Sequence, residues 1–360
     1  MMYPYRVFIS YSRDQKELAQ RVRAHLERIG AKPMSDADIR KGAKFSDEIR
    51  HQISCAHVFV PILTSKSESR PWVHQEIGYA MGLKVPILPL ALDRLPKGMA
   101  EQIQAVRVAP DLGDLAEQLT EKTLNDSVSQ AKEAATAMYE CANLLYDRTR
   151  LIVDYAQSVL KQTDGKGGRV RQRMAFSSFS IPNCSTKLPL WDQREGSEHR
   201  GEEVREKLLG ERRIMEQHAR LQGVSLILDP YVLTDRGRAG GKRTQLKYDR
   251  EVTAARLGIL KEFLEDMPDD KVTVAFQRGM IEAGLLMVGD WFVAEAVVPH
   301  YKTGYRQTIF TRHAPTVLAR VEEFDREMEE ILSNNPSPGV SSRVAAIDTI
   351  KNIIKTIRGT

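Results

Sequence analysis

Long hydrophobic runs are missing from this chain of 360 residues, and with them any stretch of the ~20 apolar residues that a helix needs to span a bilayer. The start, Met1-Met2-Tyr3-Pro4, leads into a strand-like run rather than a charged region followed by an apolar one. A soluble, cytoplasmic protein that is not exported is therefore expected. Cysteine is scarce. Cys55, Cys141 and Cys184 are odd in number, far apart and without metal-ligand spacing, so neither a disulfide framework nor a zinc site is indicated, and no metal is expected. A strong charge of one sign is also lacking, since 53 basic against 48 acidic residues leave +5. That balance suits an anionic ligand, and nucleic acid is possible but not indicated.

What is present is length for two or three domains and, in the first 120 or so residues, apolar runs alternating with helical spacing. Tyr5 to Ser10 reads as a buried strand, after which Leu18, Val22, Leu26 and Ile29 recur at helical spacing until Gly30 stops the helix. A strand near Ala31 to Ser35, the turn-rich Asp36 to Gly42, and a helix with Phe45, Ile49 and Ile53 follow. His57 to Leu63 is an almost unbroken apolar run, as parallel strands buried on both faces require. Val85 to Leu90, Val106 to Val108 and a helix through Leu112, Leu115 and Leu119 complete a pattern that predicts a doubly wound α/β sheet. Glu76 ends the run Ser69-Arg70-Pro71-Trp72-Val73-His74-Gln75-Glu76 at the mouth of the His57 to Leu63 strand, where it is expected to open a helix. Open α/β sheets bind ligands at such carboxyl ends.

Three motifs in this region, in order, carry a family resemblance. Tyr5 to Ser12 resembles the first conserved box of TIR (Toll/interleukin-1 receptor) domains, Asp36 to Phe45 looks like their BB loop, and Trp72 to Glu76 looks like the W-x-x-x-E signature of TIR domains that cleave NAD+. The resemblance implies a flavodoxin-like parallel five-stranded sheet over residues 1–123. It further implies an NAD+ nucleosidase that releases nicotinamide and ADP-ribose or a cyclic product, with NAD+ as substrate and no cofactor. Glu76 would be the catalytic glutamate and Trp72 would help wall the pocket. Tyr11, Ser12 and Arg13 match positions that face the nicotinamide ribose and phosphates. Lys41 to Phe45 would form a mobile edge, placing Lys41 and Phe45 among the substrate contacts, and Phe8 is expected in the core beside them. Activation by self-association and a role in prokaryotic antiviral defence are implied as well. Two rival readings are a non-enzymatic TIR adaptor and a nucleoside deoxyribosyltransferase-like enzyme.

The chemistry is coherent apart from the family. The pyridinium leaving group of NAD+ is already cationic, so no general acid is needed. A carboxylate beside the oxocarbenium-like transition state is what the reaction requires. Pro71 biases Arg70 to an extended conformation, and His74 reads as a helix-surface residue rather than a base.

Beyond the alternating region, Val128, Ala131, Ala135, Met138, Ala142, Leu145, Ile152, Ala156 and Val159 fall on one heptad pattern. This predicts a single long helical connector over 124–163, either a coiled coil that joins copies or a helix packed within its own chain. A linker is expected over 164–199, with Arg169, Arg171 and Arg173 on a solvated hinge in preference to a phosphate site. Residues 200–333 read as a second, α+β domain with antiparallel strands, including a hairpin turn at Gly289-Asp290. The loop Arg236 to Arg243 lacks phosphate-loop spacing and reads as surface. His300-Tyr301-Lys302 has the H-x-K spacing of phospholipase D motifs, but Gln307 stands where an Asp is wanted. A sensing or protein-binding domain for an unknown activating ligand or protein fits better, with Trp291, His300, Tyr301, Tyr305, Arg306 and His313 as pocket candidates. Residues 334–360 read as a linker and an amphipathic terminal helix for docking or oligomerisation.

Overall fold

Val7 and Ile9 face one apolar core and Phe8 the other, so the first strand is buried on both faces. The computed structural model describes residues 5–35, 45–65, 67, 71–93, 103–133, 140–142, 145–173, 198–228, 238–239, 242–243, 250–277, 284–296, 307–334 and 339–359. In the first unit, β1 (Arg6–Ser10), β2 (Lys32–Met34), β3 (Val58–Leu63), β4 (Leu90–Ala91) and β5 (Val106–Arg107) pair in parallel in the order β2-β1-β3-β4-β5. Val22 and Leu26 of α1 (Lys16–Arg28), with Leu115 of α4 (Leu115–Gln118) and Leu124 and Val128 of α5 (Glu121–Glu133), cover one face. Ile49 and Ile53 of α2 (Phe45–Ser54) and Val73, Ile77 and Ala80 of α3 (Pro71–Gly82) cover the other, where Phe8 stacks on Phe59 at 5.8 Å. Gly30, at φ +81, turns the chain out of α1 in a left-handed conformation that only glycine adopts without strain. The strand expected over Val85 to Leu90 is shorter. Pro86 and Pro89 have no N–H to donate, so pairing is limited to a bridge between Phe59 and Ile87 and the two residues of β4.

The expected continuous helix over 124–163 is two helices separated by a strand. α5 ends at Glu133, β6 (Glu140–Ala142) follows, and α6 (Leu145–Gln162) begins after it. β6 pairs antiparallel with the strand Thr308–Thr311, and Ala142 is buried against it. Val128 therefore belongs to the first unit's core, while Ile152, Ala156 and Val159 lie buried in the second unit. The two compact units comprise residues 1–138 with 311–319, and 139–310 with 320–360, so α6 is part of the second unit and not a connector.

That unit continues with β7 (Val170–Arg173), α7 (Glu198–Gln222), β8 (Val224–Leu228), the short hairpin β9 (Arg238–Ala239) and β10 (Lys242–Arg243), and α8 (Arg250–Asp266). Then come β11 (Val272–Phe276), β12 (Gly284–Val288), β13 (Phe292–Ala296), β14 (Thr308–Thr311), α9 (Ala314–Asn334) and α10 (Ser342–Arg358). Seven strands form a mixed sheet in the order β11-β8-β7-β12-β13-β14-β6. β7, β8 and β11 run parallel, and β12 and β13 form the expected antiparallel hairpin. The solvated hinge at Arg169, Arg171 and Arg173 is corrected, because β7 lies inside this sheet. Arg171 is 2% exposed and donates through Nε and Nη2 to Asp325 at 2.7 and 2.9 Å. Arg173 pairs with Glu327 at 2.7 Å, and Arg169 reaches Ser225 and Thr273. The terminal helix buries Ala346, Ile347, Ile350 and Ile353 and packs on α8 and β11, so its apolar stripe docks within its own unit. Among the described residues no helix is long and apolar enough to cross a membrane.

His218 of α7 is fully buried and bonded at both ring nitrogens, accepting from the Gly168 N–H at 3.0 Å and donating to the Ala156 carbonyl at 3.0 Å. Burial pushes its pKa below the ordinary histidine value, only partly offset by the bond to Ala156. The unfolded chain therefore binds this proton more readily than the native one. The stability His218 confers is complete above the unfolded pKa and is lost as pH falls from there through the folded value. Thermal melts of the full chain should fall on going from pH 7.5 to 5, and His218→Gln should flatten that slope.

Candidate functional site

Two elements bring the acidic site together. On β1, Ser10 follows Phe8 on the same face, since side chains alternate along a strand. On α3, Glu76 falls between Val73 and Ile77 on the stripe that packs against that face, with Ala80 one turn on. A carboxylate buried among apolar side chains needs a hydrogen-bond partner, and the Ser10 hydroxyl supplies one, donating to Glu76 Oε2 at 2.5 Å. Glu76 is 6% exposed. The expectation that it opens the helix is corrected: α3 begins at Pro71, which suits a first helical position because its missing N–H would have no partner there. Glu76 thus lies in the second turn and faces inward, whereas a residue of the first turn facing solvent would serve the helix dipole.

The surrounding rim is tied by side chains. After β1, the Ser12 N–H donates to Gln15 Oε1 at 2.9 Å and the Gln15 N–H returns to the Ser12 carbonyl at 2.8 Å. Gln15 Nε2 then donates to Thr64 Oγ1 at 2.5 Å, joining the ends of β1 and β3. Ser65 donates from its N–H and its hydroxyl to Asp93, at 2.9 and 2.8 Å, joining β3 to the chain after β4. Three adjacent parallel strands, the first of which brings Ser10 to Glu76, therefore end in cross-linked loops. These ties hold the loops in which an α/β sheet places its ligand.

Of the residues singled out in the sequence, Glu76 and Ser12 lie buried at this rim, with the Ser12 hydroxyl donating to Asp14 at 2.5 Å. Trp72 is 37% exposed, one turn before Glu76 on α3. Tyr11 packs against the α1-side core, on the opposite face of the sheet from Ser10. Lys41 and the side chains of Arg13 and Phe45 lie outside the described residues; the backbone places Arg13 in a 3-10 turn and Phe45 at the start of α2. His74 is half-buried on α3. Ser10, Gln15, Thr64 and Asp93 escaped the sequence reading. Ser10 was within reach of strand alternation, two residues after a core phenylalanine, while the other three are defined only by the strand order. Among the described residues no cluster of His, Cys, Asp and Glu could hold a metal ion.

Of the pocket candidates of the second half, the two described residues fall in different units. His313 belongs with the first unit, where Nε2 meets the Lys84 carbonyl at 2.9 Å, and Trp291 is buried beside the β12–β13 turn. His300, Tyr301, Tyr305 and Arg306 lie outside the described residues, as does the H-x-K run.

Comparison with known proteins bears on the first unit. The family model described as TIR domain matches residues 7–123, about a third of the chain. A search of curated protein sequences found no match. Among solved structures, that of TrmBL2, an archaeal chromatin protein described as showing a novel mode of DNA binding, aligns at 10% identity and a TM-score of 0.27. The alignment covers 58% of this chain and 59% of that one. A score this low carries no inference about fold or ligand. The strand order and the family match agree on the amino-terminal part: residues 7–123 are a TIR domain.

Proposed function

We propose that the TIR domain cleaves NAD+ at the nicotinamide–ribose bond, with Glu76 as the catalytic carboxylate. The observation that supports this most is the placement of Glu76, a carboxylate on the core-facing stripe of a helix, held by Ser10 at the carboxyl ends of parallel strands. A structural role offers no reason for an acid there, since leucine would pack better between Val73 and Ile77. The bond that breaks joins ribose C1′ to the pyridinium nitrogen. Its electron pair leaves with nicotinamide, which becomes neutral, and positive charge passes to the ribose ring. Glu76, fixed by the Ser10 hydroxyl, stabilises that charge in a site of low dielectric. Water then attacks C1′ and loses a proton to give ADP-ribose, or a nucleophile of the ADP-ribose moiety attacks to give a cyclic product.

In this reading Trp72 walls the nicotinamide side, and Ser12, Arg13, Lys41 and Phe45 contact ribose and phosphates, whereas Tyr11, packed on the α1 side of the sheet, supports the loop from behind. Self-association of the TIR domain, driven by a signal received in the second unit, switches the activity on, and NAD+ loss or its product acts in antiviral defence. Incubation of the full chain with NAD+ at high protein concentration, with nicotinamide followed by chromatography, is the direct test. Release of nicotinamide supports the enzyme, and its absence under crowded self-associating conditions favours an adaptor. In the same assay Ser10→Ala should lower kcat by about tenfold with little change in KM, because it removes one hydrogen bond from the reacting carboxylate.

A further inference from the structure

The helix that carries Glu76 ends in an unusual way. Lys84, just beyond α3, has φ +55, a left-handed conformation that glycine usually takes at helix ends. The last turn closes through Leu83 N to Tyr79 O, Lys84 N to Met81 O and Val85 N to Ala80 O, each 3.0 Å. The Lys84 carbonyl then accepts a hydrogen bond from His313 Nε2 at 2.9 Å, from a residue 229 positions away. The ring is fixed at its other nitrogen as well, since Nδ1 lies 2.7 Å from the Thr316 hydroxyl. Nε2 therefore carries the proton given to Lys84, and Nδ1 accepts from Thr316. Burial lowers the His313 pKa, only partly offset by the bond to Lys84, which favours the neutral ring this pairing uses.

His313 is part of Thr311–Ala319, the piece of the carboxy-terminal half that clusters with the TIR domain. Ala314, Val317 and Leu318 are buried there, Leu318 in the α1-side core. The chain enters this segment directly from β14, which pairs with β6, and leaves it as the body of α9, whose Asp325 and Glu327 hold the arginines of β7. α3 has only 12 residues, too few for a helix to persist in water without packing and end closure. Its final turn is therefore where an outside contact has most leverage on the turn that carries Glu76.

We infer that residues 311–319 form a strap through which the carboxy-terminal half sets the order of the Glu76 helix, with His313 as its positioning residue at the α3 cap. The strap regulates catalysis only if the NAD+-cleaving reading holds, whereas its hold on α3 does not depend on that reading. The experiment is hydrogen exchange on the full chain, followed by mass spectrometry, for wild type, His313→Ala, His313→Gln and Thr316→Val, with nicotinamide release measured on the same preparations. In His313→Ala, exchange over residues 77–85 should quicken about tenfold while β1 and β3 stay protected, because local opening is set by local contacts. His313→Gln, which retains an N–H donor, should recover much of that protection, and kcat should follow the exchange with KM nearly constant. If His313→Ala loosens the whole domain, Thr316→Val, which removes only the hydroxyl that orients the ring, decides the matter. Unchanged exchange along α3, or a glutamine variant as loose as alanine, would overturn the strap, and a looser α3 with kcat unaltered would overturn its control of catalysis. A wild type that releases no nicotinamide refutes the catalytic reading alone, and the exchange data still test the strap.

Discussion

Glu76→Gln in the full chain should lower nicotinamide release by about a thousandfold or more while leaving the fold intact. Glutamine has nearly the volume of glutamate, and its carbonyl oxygen accepts the Ser10 hydroxyl as Oε2 does now. What it lacks is the negative charge. In a buried, low-dielectric setting that charge is the term that stabilises an oxocarbenium-like transition state, and losing such preorganised stabilisation costs ~3–4 kcal/mol or more. Stability should move the other way. Glu76 occupies a position between Val73 and Ile77 that an apolar side chain would fill without a desolvation cost. Glu76→Leu is therefore expected to melt no lower than the native chain, the pattern of a residue kept for function at the expense of stability. Loss of activity in the glutamine variant with an unchanged melt would identify the charge as the catalytic element. Equal activity in wild type and Glu76→Gln would remove Glu76 from the chemistry altogether.

The TIR domain was legible because its sequence patterns meet no competing demand. β1 and β3 are buried on both faces, as only a strand sandwiched by helices needs to be, and a positive-φ glycine ends α1 where the periodicity stops. The inward orientation of Glu76 was encoded in the spacing from Val73 to Ala80, yet a lone acid near a predicted helix start reads equally well as a dipole-favouring surface residue. Its partner Ser10 lies 66 positions away, a distance that only the strand order brings to zero. The heptads from Val128 to Val159 misled for a physical reason. Seven-residue spacing of apolar groups is satisfied by two separate helices facing two different cores, and Glu140–Ala142 has no strand signature of its own, being a strand because Thr308–Phe310 pairs with it. Arg169 to Arg173 read as solvated since the carboxylates that neutralise Arg171 and Arg173 are 154 positions downstream on α9.

Asp325→Ala should destabilise the second unit more than Arg171→Met, although the two substitutions break the same ion pair. Arg171 sits on β7 with its side chain 3% exposed, and its charge is neutralised by two hydrogen bonds to a carboxylate that is itself 37% exposed. Removing the acid leaves a guanidinium buried under α9 with lost bonds, a loss that reaches ~3–5 kcal/mol for fully buried pairs. The open side of Asp325 admits water, which screens the pair and compensates part of the loss, so about 2 kcal/mol is expected here. Arg171→Met removes the buried charge itself, keeps the apolar stem against the sheet, and strands only a carboxylate that water can solvate. Its cost should stay near 1 kcal/mol. Chemical denaturation of the two variants and of the double mutant, whose loss should fall well short of the sum of the singles, measures the asymmetry. Equal losses would mean that Arg171 is stabilised mainly by contacts other than Asp325, and that the hold of α9 on β7 lies elsewhere in the sheet.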